Sequence, residues 1–233
     1  CEGAVLMAAP VVLLEDAHLL VVSKPAGMPV QGDLTSDEDL LSLLRRERNE
    51  ASLELAHRID RPVSGVVLLA KTTEANSALQ ALFRERRMEK RYWAIVEGKV
   101  DASSILLEHH LMHDERNRKA RIANQGDGEP ARTHVKLLAK GNRYALVECI
   151  TEGGAFHQIR AQLAAWGHAI MGDVKYGARR AMKDRGIGLH ARSLRFVHPF
   201  TNAEVFVEAP SPSMTPWPAL VSLAHPSPVN QQG

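Results

Sequence analysis

One carboxylate stands among three basic side chains in LAHRIDRPVSGVVLLAKT: Asp60, with His57, Arg58 and Arg61 around it. Pro62 and Ser64-Gly65 follow, and Val66–Ala70 is apolar enough for the inside of a sheet. A carboxylate beside a buried strand is costly unless it is paired or hydrogen-bonded. Arginine is the natural partner, because a guanidinium stays charged and offers a planar fork. Arg160 is the candidate: it falls on the opening turn of a helix whose other positions include Ile159, Leu163 and Ala164. An arginine partner favours the ionised form of a carboxylate. A fixed, ionised carboxylate can act as a nucleophile or a general base, or it can serve only as half of a structural ion pair.

Two further segments set polar residues beside apolar runs. In EKRYWAIVEG, Tyr92 opens a strand. It reads either as a half-buried strand tyrosine or as a ring that stacks on a base and a phenol that handles a proton. In GGAFHQIRAQLAAWGHAIMGDVKYG, His157 and Gln158 could cap a helix or contact RNA, and Asp173 sits in what reads as a turn.

These residues need elements to position them. VVLLEDAHLLVVSKPAGMPV predicts two short strands and a Lys-Pro-Ala-Gly loop. SDEDLLSLLRRERN predicts a helix with Ser36 as its N-cap and Asp39 three residues on, burying Leu40, Leu43 and Leu44. A strand over Gly65–Lys71 precedes a helix in TTEANSALQALFRERRM, with Ala78, Leu79, Leu82 and Phe83 on its apolar side. KRYWAIVEGKV is a strand ending at Gly98, and three or four antiparallel strands fill 101–151, with turns at NQGDGEP and KGN. HQIRAQLAAWG is a helix closed by Gly167. GLHARSLRFVHP and AEVFVEAP are strands, and after Pro210 a proline-rich, partly disordered tail is expected. Strands interleaved with a few helices give an α+β fold on a mixed, largely antiparallel sheet. The division expected is an N-terminal extension over 1–10, one catalytic domain over 11–210, and a tail over 211–233.

Composition narrows the class. The chain has 233 residues, 45% of them hydrophobic and 24% charged, enough for an ordinary core. No apolar run reaches the length of a membrane helix. The opening CEGAVLMAAPVVLL lacks the basic start of a signal peptide, and a lipid on Cys1 is not the expectation. The two cysteines, Cys1 and Cys149, build neither a disulfide framework nor a CxxC site, which fits a reducing, cytoplasmic setting. Cys149, within YALVECI, reads as a small buried hydrophobe. His57, His110, His134, His168, His190 and His198 lack metal-ligand spacing, so no zinc site is expected. Net charge is only +2, but Arg84, Arg86, Arg87, Lys90 and Arg91 cluster, as do Arg116, Arg118, Lys119 and Arg121. Such stripes follow a phosphate backbone or simply form solvated faces.

Motif order adds a resemblance. HRIDRPVSGVVLLAKT resembles the signature of the RluA-type RNA pseudouridine synthases, roughly H-R-L-D-x-x-T-S-G followed by apolar residues. KRYWAIVEG looks like that family's second motif, and FHQIRAQLAAWGHAIMGDVKYG like its third. EDAHLLVVSKPAGMPV and LHARSLRFVHP match its flanking pattern, so the similarity spans about residues 12–208.

The resemblance implies the pseudouridine synthase fold with a central cleft. It implies an isomerase that converts uridine in structured RNA to pseudouridine, without cofactor or metal. Asp60 matches the catalytic aspartate, which attacks or deprotonates the ribose while the glycosidic bond breaks; the uracil then turns and rejoins through carbon 5. Tyr92 matches the tyrosine that packs on the base and helps remove the carbon-5 proton, and Arg160 the arginine paired with the aspartate. Arg58, His157 and Gln158 would contact substrate. The partner expected is an rRNA or tRNA stem-loop, bound by a monomer. The helical RNA-binding module carried in front by many relatives has no counterpart here, so RNA affinity is expected from the catalytic domain.

There are departures from the pattern. Ile59 stands for Leu, Val63 for Thr, and Ala155-Phe156 where Arg-Thr is common, which removes a cation near the cleft. Two other readings remain: a silent RNA-binding factor on the same scaffold, which a replaced Asp60 would signal, and a carboxylate-dependent hydrolase, which needs a second acid facing Asp60, with Asp173 the candidate.

Overall fold

The computed structural model describes residues 8–33, 35 and 37–225. Its centre is one eleven-stranded sheet. In chain order the elements are β1 (Val11–Glu15), β2 (Leu19–Lys24), α1 (Leu40–Arg48), β3 (Glu54–Leu55), β4 (Ser64–Ala70), α2 (Thr73–Arg84), β5 (Glu89–Glu97), β6 (Ser104–Asp114), β7 (Lys119–Ala123), β8 (Glu129–Lys140), β9 (Tyr144–Glu152), α3 (Gln158–Ala165), β10 (Leu189–Val197), β11 (Glu204–Glu208) and α4 (Trp217–Ala224). The strand order is β1-β2-β4-β10-β5-β9-β8-β6-β7, with β3 on β4 and β11 on β10. Among the described strands every pairing is antiparallel except the short parallel contact of β4 with β10. This is the expected α+β sheet.

Strand patterns follow their surroundings. SGVVLLA of β4 is buried throughout, as an apolar run covered on both faces should be. In β8, Ala131, Thr133 and Val135 face inward while Arg132, His134 and Lys136 alternate outward. On one face, α1 and α3 pack Leu40, Leu43, Leu44, Ile159 and Leu163 against the sheet. Elsewhere α2 packs Ala75, Leu79 and Leu82 with Leu194 and Phe196, and α4 packs Trp217 and Leu220 with Trp93, Ile95 and Leu146.

The β4–β10 contact sets the centre. Gly65 has φ +112°, and a Cβ there would lie 2.2 Å from the Ala191 carbonyl oxygen, so only glycine fits the approach. The register then runs straight across the sheet through Gly65, Ala191, Tyr92, Cys149, Val135 and Ile105. The two small residues beside Tyr92 leave its ring room on that face. Cys149 is a buried free thiol.

Some expectations shift. Helix α1 begins at Leu40, and Asp39 is its cap, accepting from the Ser42 amide at 3.0 Å. Ser36, expected in that role, lies outside the described residues. Helix α2 ends at Arg84 rather than running on to Met88, because Arg86 turns the chain at φ 56°. It buries Ala75, one turn before the expected Ala78. The stretch after Pro210 is not loose throughout: Trp217 on α4 is 1% exposed and sits in the core. Residues 226–233 of that stretch lie outside the described residues.

Candidate active site

Asp60 lies in the loop that leads into β4, and two segments anchor that loop. The Gly27 amide donates to Arg61 O at 2.9 Å, and the Ile187 amide donates to Pro62 O at 3.1 Å. Lys24 donates from Nζ to Pro25 O, Met28 O and Arg61 O at 2.9, 2.8 and 3.1 Å, with its side chain fully buried. Burial pulls the Lys24 pKa down to about 7, against the attraction of Asp60. Its three carbonyl acceptors match the three protons of an ammonium. Lys24 therefore buckles the Lys-Pro-Ala-Gly loop to the aspartate loop. Sequence reasoning missed it, since nothing in SKPAG distinguishes a buried lysine from a loop one.

The neighbours of Asp60 in sequence part company in space. His57 points away: its Nε2 accepts from the Leu68 amide at 3.0 Å, and its ring packs on Phe83. Burial, helped by the charge of Lys90, drives its pKa to about 3. Arg61 bonds Gly27 O at 3.0 Å and pairs with Asp33 and Asp37. Arg58 is exposed and forms no ion pair among the described residues, so its cation is free for a ligand.

Arg160 is 5% exposed and occupied on two sides. It donates from Nε and Nη2 to the two oxygens of Asp173 at 2.7 and 2.9 Å, and from Nη1 to Asp60 Oδ2 at 2.9 Å. Burial opposes its charge, but the bonds to Asp173 and the charges of both carboxylates outweigh that and raise its pKa above the ordinary value. The expected Asp60–Arg160 pair is present. Asp173 is the surprise: it does sit in a turn, yet its side chain is 2% exposed and holds the arginine in place. Every donor of that guanidinium which could stray is thereby fixed, and Asp60 faces one aimed Nη1.

His157 precedes α3 with φ 51° and makes no side-chain cap. Its Nε2 lies 2.9 Å from Arg160 Nη1 and 3.4 Å from Asp60 Oδ2; its Nδ1 lies 2.9 Å from Tyr176 Oη. Tyr176 Oη accepts from the Ala120 amide at 2.7 Å and donates to Ala120 O at 3.3 Å. One tautomer satisfies the whole network: Nδ1–H donates to Tyr176, and Nε2 accepts from Arg160. Burial lowers the His157 pKa to about 4, with Asp60 opposing and Arg160 assisting. The imidazole is neutral, and it ties the β7 hairpin to the arginine.

Gln158 is buried, and its amide is spent internally. It donates to Arg132 O at 2.9 Å and Thr133 Oγ1 at 3.0 Å, and its Oε1 accepts from the Ala155 amide at 3.1 Å. The substrate contact expected of it gives way to a positioning role: it seats α3 on β8. Tyr92 is half-buried on the same face of the sheet. Burial raises its pKa above the usual phenol range, and the negative charge of Asp60 adds to the rise. Tyr92 is thus a neutral phenol within reach of the aspartate's field. The site assembles Asp60, Arg160, Tyr92 and His157, with Arg58 exposed two residues from the aspartate. Among the described residues, no cluster of three His, Cys, Asp or Glu side chains could hold a metal.

A carboxylate held by an arginine near a tyrosine can attack or deprotonate a bound nucleotide. Comparison with known proteins points the same way. The family model described as RNA pseudouridylate synthase matches residues 18–165, which include Asp60, Tyr92 and Arg160. The ribosomal large subunit pseudouridine synthase C of Vibrio cholerae is 36% identical over 206 residues, 85% of this chain and 65% of that protein. That of Escherichia coli K12 is 36% identical over 212 residues, 87% of this chain and 66% of that protein. The chain thus spans just under two thirds of the length of these relatives. Among solved structures, human RNA pseudouridylate synthase domain containing 1 superposes with a TM-score of 0.76 at 26% identity, covering 91% of this chain and 86% of that one. Human RNA pseudouridylate synthase domain containing 4 gives 0.71 at 26% identity, covering 92% of each chain.

Proposed function

The chain belongs to the RNA pseudouridylate synthase family, and from that premise we propose that it isomerises uridine to pseudouridine in structured RNA, with Asp60 as the catalytic carboxylate. The observation that carries this reading is the Asp60–Arg160–Asp173 arrangement. It orients one carboxylate near Tyr92, on the family's own motif residues.

The chemistry is an internal exchange. Asp60 attacks or deprotonates the ribose as the bond from uracil N1 to C1′ breaks. The uracil turns, C5 bonds to C1′, the C5 proton leaves, and N1 gains a proton. No atom is added or lost, so neither a cofactor nor a metal enters the reading. Tyr92 supplies the wall against the flipped base, and its phenol handles the C5 proton. Flipping a base out of its stack costs a few kcal/mol, and a shaped, water-poor pocket with a stacking ring offsets this. Arg58 is read as the cation that displaces the target nucleotide or holds its phosphate.

The RNA is read as rRNA or a tRNA stem-loop, in the cytoplasm, bound by a monomer. The names of the relatives favour large-subunit rRNA first. The hydrolase alternative needs a second carboxyl group free to give a proton. Asp173 is 2% exposed and has both oxygens on Arg160, so it cannot serve. No helix among the described residues is long and apolar enough to cross a membrane.

The test is pseudouridine mapping across total RNA from cells lacking the gene, then with the wild-type chain restored. The expected result is at least one site lost on deletion and regained on restoration. An unchanged map would overturn the reading.

A further inference from the structure

A second cleft, of about 840 Å³, shares two walls with the active site. One wall is β5: Lys90 lines the cleft, and strand alternation puts it on the same side of the sheet as Tyr92. The other wall is the segment from β9 into α3, where Gly153 lines the cleft on the way to His157. The Lys90 ammonium bridges the two walls by donating to Gly153 O. A Cβ on Gly154 would stand 3.3 Å from Nζ, so glycine there leaves the head of the lysine uncovered. Phe83 and Phe196 add apolar surface from α2 and β10. Ligand clefts usually hold about 300–1,000 Å³, and this volume falls in that range.

The anions of the cleft are already matched. Glu89 bonds Arg91 at 2.8 Å, Glu204 pairs with Arg195 at 3.3 Å, and Glu152 takes His134 at 2.8 Å and Arg132 at 3.4 Å. Two cations are left over: among the described residues neither Lys90 nor Arg86 stands in an ion pair. An ammonium has three protons, and the protein accepts one of those on Lys90. Burial pulls the Lys90 pKa below the ordinary value, and its charge adds to the burial that depresses His57. The ammonium thus sits where a counter-charge is missing. Arg86 is fixed by its backbone. It turns the chain after α2 at φ 56°, and its amide donates to Phe83 O at 3.2 Å. The bond from His134 holds Glu152 below the usual carboxylate range, and the charge of Arg86 contributes, so that cation reaches the cleft.

We propose that this cleft is a phosphate site for the RNA strand, in which Lys90 and Arg86 hold the backbone phosphodiester of a nucleotide other than the target uridine. The occupant follows from the walls: a strand with its uridine at Asp60 and Tyr92 continues along the side of β5 that carries Lys90. The inference rests on the RNA-modifying reading above and adds where the strand leaves the site. Phosphate contacts fix register and carry no sequence information, so binding here is blind to the base.

Fluorescence anisotropy of a labelled RNA hairpin with uridines in its loop, titrated at several NaCl concentrations, tests this. Each phosphate contact adds about one to the slope of log Kd against log salt. Lys90→Gln and Arg86→Gln are each expected to raise Kd about tenfold at low salt and to lower that slope by about one. Lys99→Gln removes an exposed cation beyond the far end of β5 and should leave the slope as in the wild type. Wild-type Kd and slope in both cleft variants would overturn the proposal. So would a lower melting temperature of Lys90→Gln with the slope unmoved in both, which makes the lysine a strut between the walls. Arg86→Gln changes an exposed side chain, so the test stands even where Lys90→Gln does not fold. Uridine 5′-monophosphate titrated alone separates the other source of phosphate. Binding that Arg86→Gln abolishes, with the RNA slope unmoved, would assign the cleft to a free nucleotide and overturn the proposal. The outcome separates from the reading it rests on. If sites map in cells and the slopes do not move, the cleft alone fails. If the slopes move and no site maps, the isomerase reading fails and an RNA-binding cleft remains.

Discussion

Asp173 grips Arg160 through both carboxylate oxygens, at 2.7 Å to Nε and 2.9 Å to Nη2, and so leaves Nη1 as the one donor aimed at Asp60. A bidentate pair fixes direction as well as charge. Asp60 is therefore oriented, through Arg160, by a buried acid that it does not itself touch.

Removing that acid should be expensive. Asp173→Ala strips a buried guanidinium of its main partner, and breaking a buried pair from one side costs about 3–5 kcal/mol. Urea unfolding should show a loss of that order. Asp173→Asn keeps one acceptor, so it should lose less stability yet lower kcat, because Arg160 is no longer fixed. A variant that melts and turns over like the wild type would show that the grip is incidental.

Tyr92 offers a ring and a hydroxyl, and the two separate by substitution. Tyr92→Phe keeps the ring against the base, so RNA affinity should hold within about twofold. Proton handling by a side chain is worth about 10²–10⁴ in rate, and single-turnover rates should fall by an amount in that range. Tyr92→Leu should lose affinity as well. If Tyr92→Phe isomerises at the wild-type rate, the phenol has no part in the chemistry.

Stability should depend on pH in one direction. His157 has a native pKa near 4 against an ordinary 6.5. Between these values the unfolded chain takes up a proton that the native chain refuses, so stability falls as pH drops from 6.5 towards 4. Above 6.5 the contribution is complete. His190, drawn to about 4, and His57, drawn to about 3, act with the same sign. Urea midpoints at pH 7.5 and pH 5 should therefore fall with acid, and His157→Asn should shrink the fall. An equal fall in that variant would mean that His157 is charged in the native site.

Helix α4 is part of the fold. Trp217 fills the space between Trp93, Ile95 and Leu146, next to the strand that carries Tyr92. Trp217→Ala should cost about 3–5 kcal/mol in a thermal or urea melt, the range for deleting a buried large aromatic. A loss under 1 kcal/mol would return this segment to the status of a tail.

What could be read from the sequence follows from where the deciding physics lies. Asp60 and Arg160 were legible because a charge bordering an apolar run demands a partner, and the two demands match. The strands were legible from their apolar runs and alternation. Asp173 was not, because GDVKYG reads correctly as a turn, and only the approach of α3 buries its side chain. Lys24 needed the Arg61 carbonyl of the aspartate loop brought beside two carbonyls of its own loop. Helix α4 was hidden by prolines at 210, 212, 216 and 218, whose local preference is overruled by Trp217 and Leu220 in the core. Gln158 looked like a contact residue because its amide suits RNA as well as it suits the β8 backbone; only the packing decides.

The central claim is that the Asp60 carboxylate does the chemistry. The most direct measurement is single-turnover pseudouridine formation by the purified chain on its mapped RNA, with Asp60→Asn beside the wild type. Asparagine keeps the shape and an acceptor for Arg160, so folding and RNA affinity should be retained within a few-fold. Pseudouridine should form fully with the wild type and fall by at least about 10⁴ with Asp60→Asn, beyond what loss of a proton-transfer group alone explains. Pseudouridine formed by Asp60→Asn at or near the wild-type rate would contradict the account.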